Sequence, residues 1–211
     1  MIEKEIKLSA SPSDWQAVKD NLLSAEDIQR IQSITIPRFY CDTDDLVLHE
    51  HDMILRLWPD HPSGQTLQCI KWLADDAPEN TPAGQFTRHE EEVFIDQNHP
   101  DLSVIPDALQ NRWPDIAADD LRPLFSTTVT RRRVKVDGVL LTFDQGDIHV
   151  IGTDVSEPIS EIEVELIKAT LPSDLLDDWA EKIQSVSKAR PFDRPKSQRG
   201  YALIEKTGQS A

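Results

Sequence analysis

Charged residues recur at every second position along segment after segment of this chain. Glu3, Glu5 and Lys7 do so at the start, Arg88, Glu90 and Glu92 in the middle, and Arg131, Arg133, Lys135 and then Glu161, Glu163, Glu165 further on. Arg56 sits between Leu55 and Leu57, Lys71 between Ile70 and Trp72, and Asp144 directly after Phe143. Alternate residues of a strand share a face, so each segment offers one charged face and one apolar face. Clustered carboxylates repel one another unless a cation neutralises them, and oxygen-rich acidic clusters suit Mg2+ or Mn2+. Clustered guanidinium and ammonium groups want a polyanion. A phosphate chain with bound metal satisfies both. Such chemistry needs positioning and electrostatics rather than a covalent nucleophile, and the chain carries no evident Cys–His or Ser–His–Asp pattern.

The elements that must position these charges are mostly strands. Period-two patterning predicts them over Ile2 to Leu8, Ser33 to Cys41, Met53 to Trp58, Thr66 to Trp72, Arg88 to Asp96, Phe125 to Val136, Val139 to Gln145 and Ser160 to Lys168, with a short last strand near Tyr201 to Glu205. Pro59 to Gly64 turns one hairpin and Asp137-Gly138 another. Ser11, Pro12 and Asp14 predict a capped helix start, followed by Trp15, Val18 and Leu22 at helical spacing. Leu175, Leu176, Trp179, Ile183 and Val186 trace one face of a later helix. Residues 75–87 read as a surface loop, and Pro100 to Leu124 as helical or irregular. About eight strands are enough to close a small barrel. The predicted fold is therefore α+β: an eight-stranded antiparallel barrel with flanking helices, one domain over 1–205 and a short tail over 206–211.

Two arrangements of such strands compete. In one, the charged faces look out to solvent. In the other, the barrel is inside out: charged faces line a wet interior and helices cover the apolar faces. Arg56 favours the second, because it lies where both faces look buried and a buried charge needs a partner or ligand. The signs also segregate, with acidic clusters on the first and eighth strands and basic ones on middle strands.

Composition bounds the rest. The 211 residues carry a net charge of −16, a field that repels nucleic acid and anionic lipid. The 22 Lys and Arg can still hold an anion if they are gathered in one place. Cys41 and Cys69 are too few for a disulfide framework and read as core residues. No signal-peptide pattern or membrane-length apolar run is present, so a cytoplasmic location is expected. The six His read as surface residues; His49 and His51 have the spacing of a metal pair but lack a third ligand.

Glu3-x-Glu5-x-Lys7 resembles the E-x-E-x-K motif of the CYTH domain, the triphosphate tunnel metalloenzyme superfamily. The resemblance continues through Phe39 to Thr43, His51 to Leu57, Pro123 to Thr127, Phe143 to Gly146, Glu157 to Leu166 and Lys196 to Tyr201, and is strongest to the bacterial inorganic triphosphatase branch. It implies a tunnel in which Glu3, Glu5, Asp144, Glu161 and Glu163 bind metal, and Lys7, Arg56, Lys71, Arg131, Arg133 and Lys196 grip phosphates. Arg88 and Glu90 lie on the charged strand between them. Lys71 and Glu90 are the candidates for a direct catalytic part, and Lys71 or Lys196 for neutralising the leaving group. The implied activity is Mg2+- or Mn2+-dependent hydrolysis of inorganic tripolyphosphate by a monomer or homodimer. Relatives with the same tunnel hydrolyse thiamine triphosphate or cyclise ATP, and a non-catalytic polyphosphate-binding module is a further alternative. Two positions depart from the family pattern. Trp58 stands where a second basic residue is common, which removes a phosphate contact, and Pro195 interrupts the basic tail. These 211 residues do not include the helical CHAD domain of longer members, so the expectation is either a stand-alone protein or an excised domain.

Overall fold

The structure is a computed structural model that describes residues 2–73 and 83–208. Among the described residues, nine strands and five α-helices follow one another: β1 (Ile2–Ser9), α1 (Pro12–Leu22), α2 (Ala25–Gln29), β2 (Gln32–Asp42), α3 (Val47–Glu50), β3 (Met53–Trp58), β4 (Thr66–Leu73), β5 (Gln85–Ile95), β6 (Arg122–Val136), β7 (Val139–Val150), β8 (Ser156–Leu166), α4 (Asp174–Val186), β9 (Arg190–Pro191) and α5 (Lys196–Thr207). The predicted loop over 75–87 falls largely outside the described residues, and β5 already begins at Gln85.

The sheet runs β5-β4-β3-β2-β6-β7-β8-β1 and closes because β1 also pairs with β5. Glu3 lies opposite Arg88 on one side of β1, and Lys7 opposite Glu163 on the other. All these pairings are antiparallel, and closure leaves no edge among the eight strands. The two-residue β9 adds to β1 from outside.

Local chemistry accounts for the main corners. Asp137 (φ 45°) and Gly138 (φ 86°) take the left-handed conformations of a primed turn between β6 and β7. Ser11 and Asp14 form the reciprocal cap of α1: the Asp14 N–H donates to Ser11 Oγ at 3.2 Å and the Ser11 N–H to Asp14 Oδ2 at 2.8 Å. Ser24 and Asp27 repeat the device at α2. Gly146 lets β7 press against β6, since a Cβ there would lie 1.9 Å from the Thr128 carbonyl oxygen.

The apolar outer faces are covered in three places. Trp15 and Val18 of α1 join Leu176, Trp179 and Ile183 of α4 over Leu8, Leu141, Phe143, Ile162 and Val164; Trp15 stacks on Phe143 with centroids 5.6 Å apart. Tyr201, Leu203 and Ile204 of α5 pack with Phe125, Ile148 and Ile159. The stretch from 100 to 121 holds three short 3-10 turns; its Leu109 and Leu121 cover Leu55, Leu57, Ile70 and Trp72. With the outside dressed in this way, the charged faces are left to the interior.

One prediction is corrected. Tyr201 to Glu205 is not a strand but the middle of α5. Ser197, Gly200, Tyr201 and Ile204 are buried at spacings of three and four, a helical period that the short run of apolar residues concealed. Among the described residues, no helix is long and apolar enough to cross a membrane.

Candidate active site

The barrel encloses a tunnel-like cavity of about 450 Å3, within the usual range for small-molecule sites. Its walls are the inward-facing alternate residues of β1 to β6 and β8, with Leu140 of β7 and Pro195, Lys196 and Ser197 at the start of α5. Lys7, Arg38, Arg56, Lys71, Arg88, Arg131, Arg133 and Lys196 line it, as do Glu3, Glu5, Glu90, Glu92, Glu163 and Glu165. A chain of net charge −16 thus gathers eight cationic side chains against six carboxylates in one cavity. The field outside repels anions, while the interior carries a small cationic excess.

The charges are ordered by register. Glu163 on β8 receives Lys7 at 2.5 Å, Lys196 at 2.8 Å and Arg131 at 3.1 Å. Arg131 forks onto Asp144, with Nε and Nη2 at 2.8 and 2.6 Å from its two oxygens. Lys196 Nζ reaches Asp144 at 2.8 Å and also bonds Glu161. On the facing wall Lys71 joins Glu3 at 2.5 Å and Glu90 at 3.3 Å. Arg56 reaches the same Glu90 oxygen at 2.9 Å. Cys69 Sγ donates to Glu90 at 3.1 Å.

The sequence-predicted residues occupy different depths. Glu3, Glu5, Lys7, Arg56, Lys71, Arg88, Glu90, Arg131, Arg133, Glu163 and Lys196 face the cavity. Arg133 sits at its rim, exposed, with Nε 3.4 Å from Gln32. Asp144 and Glu161 lie behind the wall, fully buried, screened by Arg131 and Lys196. Carboxylate oxygens of Asp144, Glu161 and Glu163 nevertheless approach within 4.8 Å of one another. Three converging hard oxygen donors fit Mg2+ or Mn2+ by type, and Lys196 supplies the positive charge among them. His49 and His51 do not form a metal pair. His49 stacks on Tyr201 with centroids 4.0 Å apart, and His51 Nδ1 lies 2.8 Å from the Val47 carbonyl.

Protonation follows burial and these pairings. Burial opposes ionisation of Glu163, but Lys196, Lys7 and Arg131 overcome it and hold the carboxyl well below its ordinary value. The same contest at Asp144 is won by Lys196 and Arg131. At Glu90 burial loses to Lys71 and Arg56, which pull it down to about 2. Glu5 goes the other way, raised by burial and by Glu3 against the attraction of Lys7. Glu165 is pushed up to about 8 by burial and by its neighbours Glu3 and Glu5. The wall formed by β1 and β8 therefore carries more negative charge than its own cations neutralise.

The structure adds cavity residues that patterning did not single out. Arg38 lies on β2, where Pro37 and flanking apolar residues disguise the alternation. Glu165 and Glu92 belong to charged faces that patterning did identify, but without a role. His61, read as a surface residue, lines the cavity beside Trp58, Pro62 and Leu67.

The CYTH domain model matches residues 1–201. The chain belongs to the CYTH domain family. Its fold is shared with solved structures at low sequence identity. A candidate adenylyl cyclase from Hippeastrum, described as having a dominant triphosphatase activity, aligns at TM-score 0.61 and 20% identity, covering 98% of this chain and 96% of that one. A candidate adenylate cyclase from Bacillus halodurans aligns at TM-score 0.59 and 16% identity over 92% and 95% of the two chains. The Mimivirus capping enzyme triphosphatase aligns at 0.52 and 13% identity over 88% and 89%. No curated protein matches the chain. CYTH neighbours thus include both triphosphatases and candidate cyclases.

Proposed function

We propose that this CYTH protein hydrolyses inorganic tripolyphosphate to pyrophosphate and phosphate, with Mg2+ or Mn2+ bound at the tunnel carboxylates. The observation that carries this reading is the enclosed cavity lined by eight cationic side chains and six carboxylates inside a chain of net charge −16. Neither charge set alone would require the other. Both together match a polyphosphate and its counter-cation.

Arg56, Arg131 and Arg133 are assigned to hold and orient the phosphate chain, and Lys7 to anchor it beside Glu163. Fixing the chain in line with an attacking water converts an encounter into a positioned reaction. Guanidinium groups near the transferring phosphoryl oxygens stabilise the charge that develops there. The water oxygen bonds to phosphorus as the bridging P–O bond breaks, the water's proton passes to solvent, and pyrophosphate leaves with its charge met by Lys71 or Lys196. A divalent ion held by Glu3, Glu5 and Glu163, or by Asp144 and Glu161, would neutralise phosphate charge and supply an acidified water. Glu90, kept ionised by Lys71 and Arg56, fixes those two cations rather than exchanging a proton near neutral pH.

Trp58, His61, Pro62 and Leu67 make part of the cavity apolar, which keeps an organic triphosphate as the second reading. Phosphate release from tripolyphosphate, ATP and thiamine triphosphate, compared under one metal condition, separates the two. The expected result is preference for tripolyphosphate, loss of activity in excess chelator and loss of turnover in Glu5→Gln with the fold intact. Preference for either organic substrate refutes the first reading, and full activity in chelator refutes the metal.

A further inference from the structure

Two guanidinium groups on adjoining strands end in buried donors with nothing to bond. Arg38 Nη1 and Arg56 Nε are both buried and without a hydrogen-bond partner. Arg56 at least reaches Glu90 with its Nη2. Among the described residues, no carboxylate forms an ion pair with Arg38. Tyr40 is directly opposite Arg56 and Phe39 opposite Leu57 in the β2–β3 register, so Arg38 and Trp58 face each other across the same two strands. The Arg38 guanidinium lies over the Trp58 ring, 4.2 Å from its centroid. That contact holds the group against the indole, and both residues line the cavity.

We propose that Arg38, seated on Trp58 and paired with Arg56, is a phosphate-binding subsite that takes an end phosphate of the polyanion in the tunnel. The proposal rests on the tripolyphosphate reading and sharpens it. It assigns the Trp58 region to a free, fully charged phosphate rather than to a flat organic group. The indole face that would stack on such a group is already covered by the guanidinium. Buried donors without acceptors are uncommon in native proteins and call for a partner; phosphate oxygens supply acceptors to both arginines at once. Burial and the repulsion of Arg56 also draw Arg38 down to about 10, the response of a cation that lacks its counter-charge. Glu92, also on the cavity wall, attracts it but forms no ion pair with it among the described residues. Trp58 is a positioning residue here, acting through Arg38.

The test is calorimetric titration of the full chain with tripolyphosphate and with pyrophosphate, in chelator so that nothing is hydrolysed. Losing one charge-assisted contact should weaken tripolyphosphate binding roughly 10- to 100-fold in Arg38→Gln, with a smaller loss for the shorter pyrophosphate. Arg38→Lys should recover part of the loss. Trp58→Leu should cost less than Arg38→Gln, because the charge stays and only its seat is lost. Arg38→Gln removes no hydrogen bond or ion pair within the protein, only the contact with Trp58, so its thermal midpoint should change little, and Arg38→Lys covers the case in which it falls. Wild-type affinity in Arg38→Gln overturns the subsite while leaving the tunnel reading intact. Absence of polyphosphate binding by the wild type, both in chelator and with Mg2+ added, overturns the tunnel reading itself. Tighter binding of thiamine triphosphate than of tripolyphosphate, lost in Trp58→Leu, overturns the subsite in favour of an organic group.

Discussion

Replacing Glu165 by Gln should make the metal-free protein more stable, although the residue lies in the cavity. Glu165 makes no hydrogen bond or ion pair among the described residues, while burial, Glu3 and Glu5 push its carboxyl from an ordinary 4.5 up to about 8. Below pH 4.5 the carboxyl is protonated in both folded and unfolded chains, and nothing distinguishes them. As pH rises from there towards 8, the unfolded chain has released a proton that the folded chain retains, so folding becomes progressively less favourable. At ~1.4 kcal/mol per pH unit, the difference amounts to ~3 kcal/mol at pH 7 and ~5 kcal/mol by pH 9. Solvent in the cavity screens part of this, so these are ceilings. Glutamine has the shape of the protonated acid and never ionises. Urea unfolding in chelator at pH 5, 7 and 9 should therefore find the Glu165→Gln variant more stable, by a margin that widens with pH. Adding Mg2+ should narrow the margin at pH 9, because a cation at the β1–β8 wall relieves the wild-type repulsion. A margin independent of pH, or a variant less stable than wild type at pH 9, refutes the account of this wall as under-neutralised.

Asp144→Asn should cost about 3–5 kcal/mol of stability. It leaves Arg131 and Lys196 buried without the carboxylate they share, and a fall in thermal midpoint smaller than that of an exposed control such as Asp20→Asn would count against a structural part for this pairing. Gly146→Ala should cost about 1–3 kcal/mol or more, because its Cβ would meet the Thr128 carbonyl oxygen at 1.9 Å. A crystal structure of that variant should show β6 and β7 displaced there, and unshifted strands with wild-type stability would contradict the close approach.

Much of the barrel was legible because period-two alternation is a direct print of the pleat. Glu161, Glu163 and Glu165 point one way because Ile162, Val164 and Leu166 must meet α1 and α4. The inside-out arrangement was legible at Arg56 in particular, where apolar neighbours on both sides left no solvent-facing side for the charge. Other features were not. Arg38 follows Pro37 in a run of β-formers, so a single charge there looks incidental; its meaning depends on the cross-strand position of Trp58, which only register supplies. Lys196 opens a helix rather than sitting in an alternating strand, and the family resemblance pointed to it where patterning could not. Its place among Asp144, Glu161 and Glu163 depends on α5 folding back over the barrel, a tertiary fact. Depth was also invisible: Asp144 and Glu161 read the same as Glu163, yet two lie behind the wall and one faces the cavity.

Fold and proposed chemistry meet in how the empty cavity neutralises itself. Most of its charges satisfy one another across strands: Lys7 with Glu163, Lys71 with Glu3, Arg131 with Asp144. These pairs let a closed barrel carry a charged interior at all, since an unpartnered buried charge would oppose folding. The exceptions are therefore informative. Arg38 and the Nε of Arg56 lack acceptors on β2 and β3, whereas on β1 and β8 Glu165 has no ion-pair partner among the described residues and Glu5 is raised by burial and by Glu3 even though it shares Lys7, 3.0 Å away, with Glu163. In the closed strand order these two pairs of strands stand on opposite walls. One wall wants an anion and the other a cation, and a phosphate chain with its divalent counter-ion answers both at once. Either ligand alone would relieve one wall and leave the other as it was, which is the physical reason to expect the two to act together in this protein.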